Sequence, residues 1–466
     1  MRIDDVVFAG AGAGAGVDAA AGSLRAVLGA DRVLIPGPAE GEGRERPLWN
    51  GAVPHRPAIV ALPRTAAEVR AAVLAARDAG LPLSVMGGGH DWAGRAVRVG
   101  GLVIDLSGMR QVTVDPSSRT ACVEGGATAG DVIDAGAPYG LVAATGTVHS
   151  VGLTGLTLGG GYGPLNGLAG LALDNLVSAD VILADGRLVT ADAHQEPELF
   201  WALRGGGGNF GVVTSLRVRL HAVPRVLGGF VTYPLEAASG VWERLCAVLA
   251  ESPDELTVPC GVMTGEEGEP LLFLAPVWSG DHHIGERAVG RLLGLAARGT
   301  WRVGETTYRQ VLAQNDAWAS TGGHYEIATR NVSSFGPEVA AVLCEAGATA
   351  TSPLSAVPIH HFHGAASRVP VEETAFGLRR DHFLVELVAA WRPGDPGADR
   401  HRAWAASVDQ ALAPYALPGG YANLLTPGAG EQVAHAYGPN AARLLAAKRC
   451  YDPDGVFCSL PLPAVG

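Results

Sequence analysis

The chain has 466 residues, of which 48% are hydrophobic and 17% charged, which excludes a largely disordered polypeptide and supplies enough apolar mass for two domains or one large one. Lys+Arg 34 against Asp+Glu 46 leaves a net charge of -12, which argues against a nucleic-acid groove or an anionic membrane surface as the partner. The 65 glycines are about twice the usual share of ~7%, and they cluster at four places.

The opening MRIDDVVFAGAGAGAG is acidic where a secretory signal is basic, and no strongly apolar run of membrane-spanning length follows. A cytoplasmic location is the expectation. Gly10 to Gly16 follows Val6-Val7-Phe8 and imitates a strand leading into a dinucleotide-binding glycine turn. The acidic residue that such a turn needs at the end of a second strand is missing, because Val33-Leu34-Ile35-Pro36 runs into GPAEGEGRERP. A flexible Ala/Gly lead-in is expected instead.

From residue 57 a β-α-β rhythm begins. Pro57-Ala58-Ile59-Val60-Ala61-Leu62 reads as a strand, and Thr65-Ala66-Ala67-Glu68 has capping-box spacing ahead of an amphipathic helix over 69–80. The strand Leu83-Ser84-Val85-Met86 enters the second glycine cluster, GGGHD at 87–91. Strands are expected at 102–106 and 120–124, and a helix at 129–136. The third cluster, VGLTGLTLGGGYG at 151–163, is expected to be neither helix nor strand, since glycine destabilises the interior of both. The fourth, RGGGGNFG at 204–211, precedes an apolar strand. Three glycine loops after the lead-in suggest one extended ligand wrapped by main chain, with N–H groups turned to phosphates.

Beyond residue 222, strands near 229–233, 270–278, 357–364 and 382–391 interleave with helices near 240–250 and 285–297. This predicts an antiparallel sheet with helices on one face, and an α+β class overall. The last helix covers 439–451. Six cysteines without a CxxC pair argue against a zinc site and are read as buried free thiols.

The ordered set GGGH, GLTGLTLGGGYG, RGGGGNFG and the C-terminal RLLAAKRCYDPDGVF resembles the FAD-linked oxidases of the vanillyl-alcohol-oxidase type, and within them the berberine-bridge-enzyme-like branch. The resemblance implies an α+β fold with a two-part FAD-binding domain of the PCMH type and a substrate domain. It divides the chain into a lead-in at 1–48, the FAD domain at 49–221, the substrate domain at 222–418, and a tail at 419–466 returning to the FAD domain. It also implies covalent FAD, joined through His90 alone, because Val148 stands where many relatives carry a second, cysteine anchor.

By the same resemblance Gly87, Gly88, Gly89 and Asp91 carry the pyrophosphate. Val151, Gly152, Gly155, Gly160, Gly161, Asn209, Gly211, Val213 and Asn423 meet the flavin. Leu153 falls at a position that gates dioxygen, where bulk favours a dehydrogenase over an oxidase. Thr154-Gly155-Leu156 lacks a histidine common in relatives.

Such enzymes move a hydride to flavin N5 while a base takes a proton. Glu386 lies mid-strand in HFLVELVAAW, where a carboxylate is costly unless paired or functional, on a face shared with Leu384 and Val388. Pairing with Arg379 or Arg380 is the alternative. Tyr421 is a second candidate base or substrate ligand. Of His360, His361 and His363, one is expected in the substrate cavity, and His363 is the catalytic candidate. No metal is expected. The resulting expectation is oxidation of a C–H bearing OH or amine on a bulky small molecule, a sugar or a natural product, with dioxygen or another acceptor completing the cycle. A flavin-carrying protein without catalysis and a nicotinamide-dependent dehydrogenase are the competing readings.

Overall fold

A computed structural model describes residues 12–36, 48–316, 318–426 and 428–464. Three sheets organise them. The first has four strands in the order Val33–Leu34, Ile59–Ala61, Leu102–Asp105, Leu83–Met86, parallel except at the Val33–Leu34 edge. The helix Ala66–Asp78 covers it, capped by Thr65, whose hydroxyl accepts from the Glu68 N–H. Glu68 does not close the expected capping box. Its carboxylate is held by Arg32 at 2.6 Å and by the Arg64 N–H at 2.7 Å.

The second sheet is antiparallel and centred on Val212–Ala222, flanked by Thr120–Glu124 and Leu176–Ile182. The third has nine antiparallel strands, and it shows why a period-two sequence builds a site. On His382–Trp391, residues Val385, Leu387, Ala389 and Trp391 join a core packed under the helices Ala238–Ala250, Pro337–Ala348 and Ala398–Leu412. Glu386, Val388 and Ala390 point to the other face, which lines a cavity. The same alternation puts Leu272 and Leu274 in the core and Phe273 in the cavity wall. Helices on one face are thus as predicted.

Two local expectations are corrected. The lead-in expected to be flexible is helical over Gly12–Leu28, with Ala20, Ala21, Leu24 and Leu28 buried against the first sheet's helix layer. Alanine has the highest helix propensity, and the apolar stripe has a surface to cover. The part of the lead-in at 1–11 and 37–47 lies outside the described residues. The third glycine cluster is also partly helical, over Leu153–Gly159, because Leu153 and Leu158 are buried and tertiary packing outweighs propensity. Gly159 is required there for close approach: a Cβ would lie 2.1 Å from the Asn423 side chain.

The C-terminal segment is tied to the second sheet's core through Leu444, Ala447 and Leu460. Lys448 anchors it, donating to the carbonyls of Asn209 at 2.8 Å and Phe457 at 2.6 Å and pairing with Asp452. No described helix is long and apolar enough to cross a membrane.

Leu24→Ala should lower the melting temperature by several degrees, since truncating a buried leucine costs about 2–5 kcal/mol. An unchanged melting curve would restore the flexible lead-in.

Candidate active site

A cavity of about 500 Å³ runs between the glycine loops and the open face of the nine-stranded sheet. On the loop side it is bounded by Gly87, Gly88, Gly89, His90 and Asp91, by Val148, Val151, Gly152 and Gly155, and by Gly211 and Val213. The glycines do two different jobs. A Cβ on Gly88 would sit 2.1 Å from the Gly152 nitrogen, so these two loops touch main chain to main chain. A Cβ on Gly155 would meet nothing within 4 Å, and one on Gly87 only the Gly125 carbonyl at 3.5 Å. Side chains there would fill the cavity itself. The buried Thr154 hydroxyl, also in the wall, has no hydrogen-bond partner among the described residues. An elongated, glycine-cradled space with such a hydroxyl in its wall fits a dinucleotide such as FAD.

His90 is held from two sides. Its Nε2 lies 2.9 Å from the Ser150 hydroxyl, and its ring stacks with Trp49 at 5.7 Å and 20°. Trp49 stacks in turn on Tyr325 at 3.9 Å, while Asn50 accepts from the Tyr325 N–H at 3.1 Å. The histidine loop and the third sheet are thereby joined at the cavity wall.

On the opposite side, Glu386 Oε1 lies 3.0 Å from His360 Nε2, and both residues line the cavity. Arg379, one expected partner, is instead paired with Asp174 at 2.7 Å. Tyr421 also lines the cavity. Its hydroxyl accepts from the Gly161 N–H at 2.9 Å and from Asn423 Nδ2 at 2.8 Å, so its own proton points elsewhere. Burial pushes this phenol up to about 12, which keeps it protonated at neutral pH.

Several predicted site residues stand elsewhere. His363 does not reach the cavity; it is buried, stacked on His361 at 3.9 Å and 3.4 Å from the Thr257 hydroxyl. Burial lowers its pKa to about 4. The strand ends at Phe362, and His360 is the histidine on the cavity face, in step with Ala356 and Pro358. Leu153 packs in the second sheet's core and does not line the cavity, although its neighbours Gly152 and Thr154 do. The Asp91 carboxylate is bound by Arg95, which leaves only its main chain for a phosphate. Gly160 and Gly161 lie behind Tyr421 and do not line the cavity. Asn209 clamps the C-terminal segment, donating to the Leu460 carbonyl at 3.0 Å and accepting from the Ser459 N–H at 2.7 Å.

All six cysteines are free, but Cys122, Cys450 and Cys458 are exposed, not buried. Among the described residues no cluster of metal ligands occurs. Ser150, Trp49 and Thr154 were not singled out from the sequence; their places depend on contacts between distant segments.

A family model described as "FAD binding domain" matches residues 57–192, and one described as "Berberine and berberine like" matches 420–460. The (R)-6-hydroxynicotine oxidase of Paenarthrobacter nicotinovorans is 32% identical over 424 residues, covering 88% of this chain and 92% of that protein. The crystal structure of a 6-hydroxy-D-nicotine oxidase from Arthrobacter nicotinovorans superposes with a TM-score of 0.81 at 31% identity, over 90% of this chain and 94% of that one. A glucooligosaccharide oxidase from Acremonium strictum, which carries a 6-S-cysteinyl, 8α-N1-histidyl FAD, has a TM-score of 0.80 at 23% identity. It covers 95% of this chain and all of its own, and shows the common fold.

Gly155→Leu should fold, since leucine favours the helix it would join, yet the purified protein should retain less than about a tenth of the wild-type flavin. Wild-type flavin content in this variant would place the ligand elsewhere.

Proposed function

The chain belongs to the berberine-bridge-enzyme-like family of FAD-linked oxidoreductases, and we propose that it oxidises a C–H bond next to an OH or amine on a bulky small molecule. The observation that carries this is the opposition, across one cavity, of a glycine-cradled wall bearing His90 to a sheet face bearing Glu386. FAD, when bound, supplies a two-electron acceptor for the hydride.

The chain's own residues supply the rest. The substrate loses a hydride and a proton together, so a base must stand beside the O–H or N–H that gives up the proton. Glu386 is that base. It lies on the open face of a sheet strand, and His360 at 3.0 Å fixes its orientation. Tyr421, protonated and with its oxygen already accepting two hydrogen bonds, donates its own proton into the cavity to orient the reacting group. His363 has no part in this.

His90 is the proposed covalent anchor. Its position in the cavity wall supports that role, and Ser150 and Trp49 hold its ring in place. Val148 lines the same wall and has no sulfur to form a second bond, which supports a single link. Dioxygen or another acceptor then takes the electrons.

Glu386→Gln should lower the rate of anaerobic flavin reduction by about 10²–10⁴, while flavin content stays at the wild-type level. A variant reduced at the wild-type rate would remove Glu386 from the chemistry. With its pKa raised by burial, Tyr421 stays protonated as pH climbs toward about 12. Tyr421→Phe should therefore slow the reaction without removing any ionisation from the profile between about pH 6 and 10. Loss of an alkaline limb in that variant would show the phenol titrating.

A further inference from the structure

We infer that Ser150 is a positioning residue for the covalent attachment of the flavin: it decides which edge of the His90 ring carries the proton, and so which edge can form the bond. This rests on the covalent anchor proposed above and adds to it the group that makes the histidine able to react.

Trp49 and Ser150 act differently on the His90 ring. Trp49 stacks on it with ring centroids 5.7 Å apart and planes inclined by 20°. Stacking fixes the plane, but a ring turned by half a revolution about its Cβ–Cγ bond would stack as well. The Ser150 hydroxyl, 2.9 Å from Nε2, singles out one of these two placements. His90, Val148 and Val151 line the cavity, whereas Ser150 does not. The serine therefore acts on a bound flavin only through the histidine. Its bond draws the Nε2 edge toward a residue outside the lining, which assigns the flavin bond to Nδ1. Serine and histidine are presented to each other by loops held in place independently. The carbonyls of His149 and Val151, on either side of Ser150, accept from the Gly130 and Ala129 N–H groups, each at 2.9 Å. On the histidine side the Gly89 carbonyl accepts from the Trp49 N–H at 2.9 Å.

A neutral imidazole carries one proton, and the nitrogen without it is the nucleophile. For Nδ1 to react, Nε2–H must donate and the Ser150 oxygen must accept. The new bond joins Nδ1 to the 8α-methyl carbon of the isoalloxazine. That carbon gives up a proton, its electron pair is left on the ring system, and the imidazole gives up its Nε2 proton. Dioxygen takes the electron pair with two protons and leaves as hydrogen peroxide, so the product is chain plus FAD less two hydrogens. Positive charge builds on the imidazole as the bond forms, and the hydrogen bond from Nε2–H to Ser150 strengthens with it. That gain is made in the transition state and not before it, so it speeds attachment.

The test gives FAD, in air, to full-length wild type, Ser150→Ala and Ser150→Thr purified from riboflavin-starved cells. Total bound flavin and flavin that stays with the acid-precipitated protein are measured separately over time. Ser150→Ala should take up as much FAD as the wild type yet attach it about ten-fold or more slowly, since a charge-assisted hydrogen bond is lost. Ser150→Thr, which keeps the hydroxyl, should restore most of the rate. Attachment at the wild-type rate in Ser150→Ala would overturn the inference. So would a Ser150→Thr variant as slow as the alanine, or a Ser150→Ala variant that folds but takes up no FAD. A further readout needs no variant: the histidyl flavin released from the wild type by proteolysis should show a bond through Nδ1 in its NMR spectrum. A bond through Nε2, the nitrogen that faces Ser150, would overturn the inference as well. Attachment indifferent to Ser150 overturns this inference alone, whereas a wild type that attaches no flavin overturns the His90 anchor and this inference with it.

Discussion

A large antiparallel sheet has two faces, and apolar residues on both must be covered. Here helices cover one face. The other, carrying Phe230, Met263, Phe273 and Val388, is opposed by glycine loops that belong to a different part of the chain. Within that wall Gly88 and Gly152 hold one another main chain to main chain. The result is a gap of cofactor size with a reactive wall on each side. The proposed function rests on that layer.

The contacts that keep the layer open are as specific as those that line it. Trp49 stacks on Tyr325, and Asn50 donates to the carbonyls of Trp92 at 2.7 Å and Tyr325 at 3.0 Å, which joins the two halves beside His90. Arg95 reaches from the histidine loop to the carbonyls of 422–425, so the segment bearing Tyr421 and Asn423 is set against the same loop. Asn209 and Lys448 do the equivalent at the far end. The polar groups of the site are therefore oriented by links that cross the sequence, and the donors of Asn50, Arg95, Asn209 and Lys448 named here each meet a carbonyl.

This explains what the sequence discloses and what it does not. Period-two alternation in HFLVELVAAW is local, so the facing of Glu386 and Val388 is readable from the chain. The family motifs identify the glycine wall and His90. The partner of Glu386 is not readable, because His360 arrives from a neighbouring strand and a basic residue nearby in sequence is a poor guide to it. His363 misled for the same reason: it lies beyond the end of the strand at Phe362, where parity no longer says which way a side chain points. Glycine-rich GLTGLTLG misled in the opposite direction. Propensity argues against a helix there, and burial of Leu153 and Leu158 overrides it. Leu153 is thereby drawn into the core.

The gap is proposed to hold FAD bonded to the chain at His90. Peptide mapping by mass spectrometry of the protein, digested after denaturation, tests it most directly. The peptide containing His90 should carry the mass of one FAD less two hydrogens, and every other peptide its unmodified mass. An unmodified His90 peptide from protein that is nonetheless yellow, or flavin found on a different peptide, would contradict the claim.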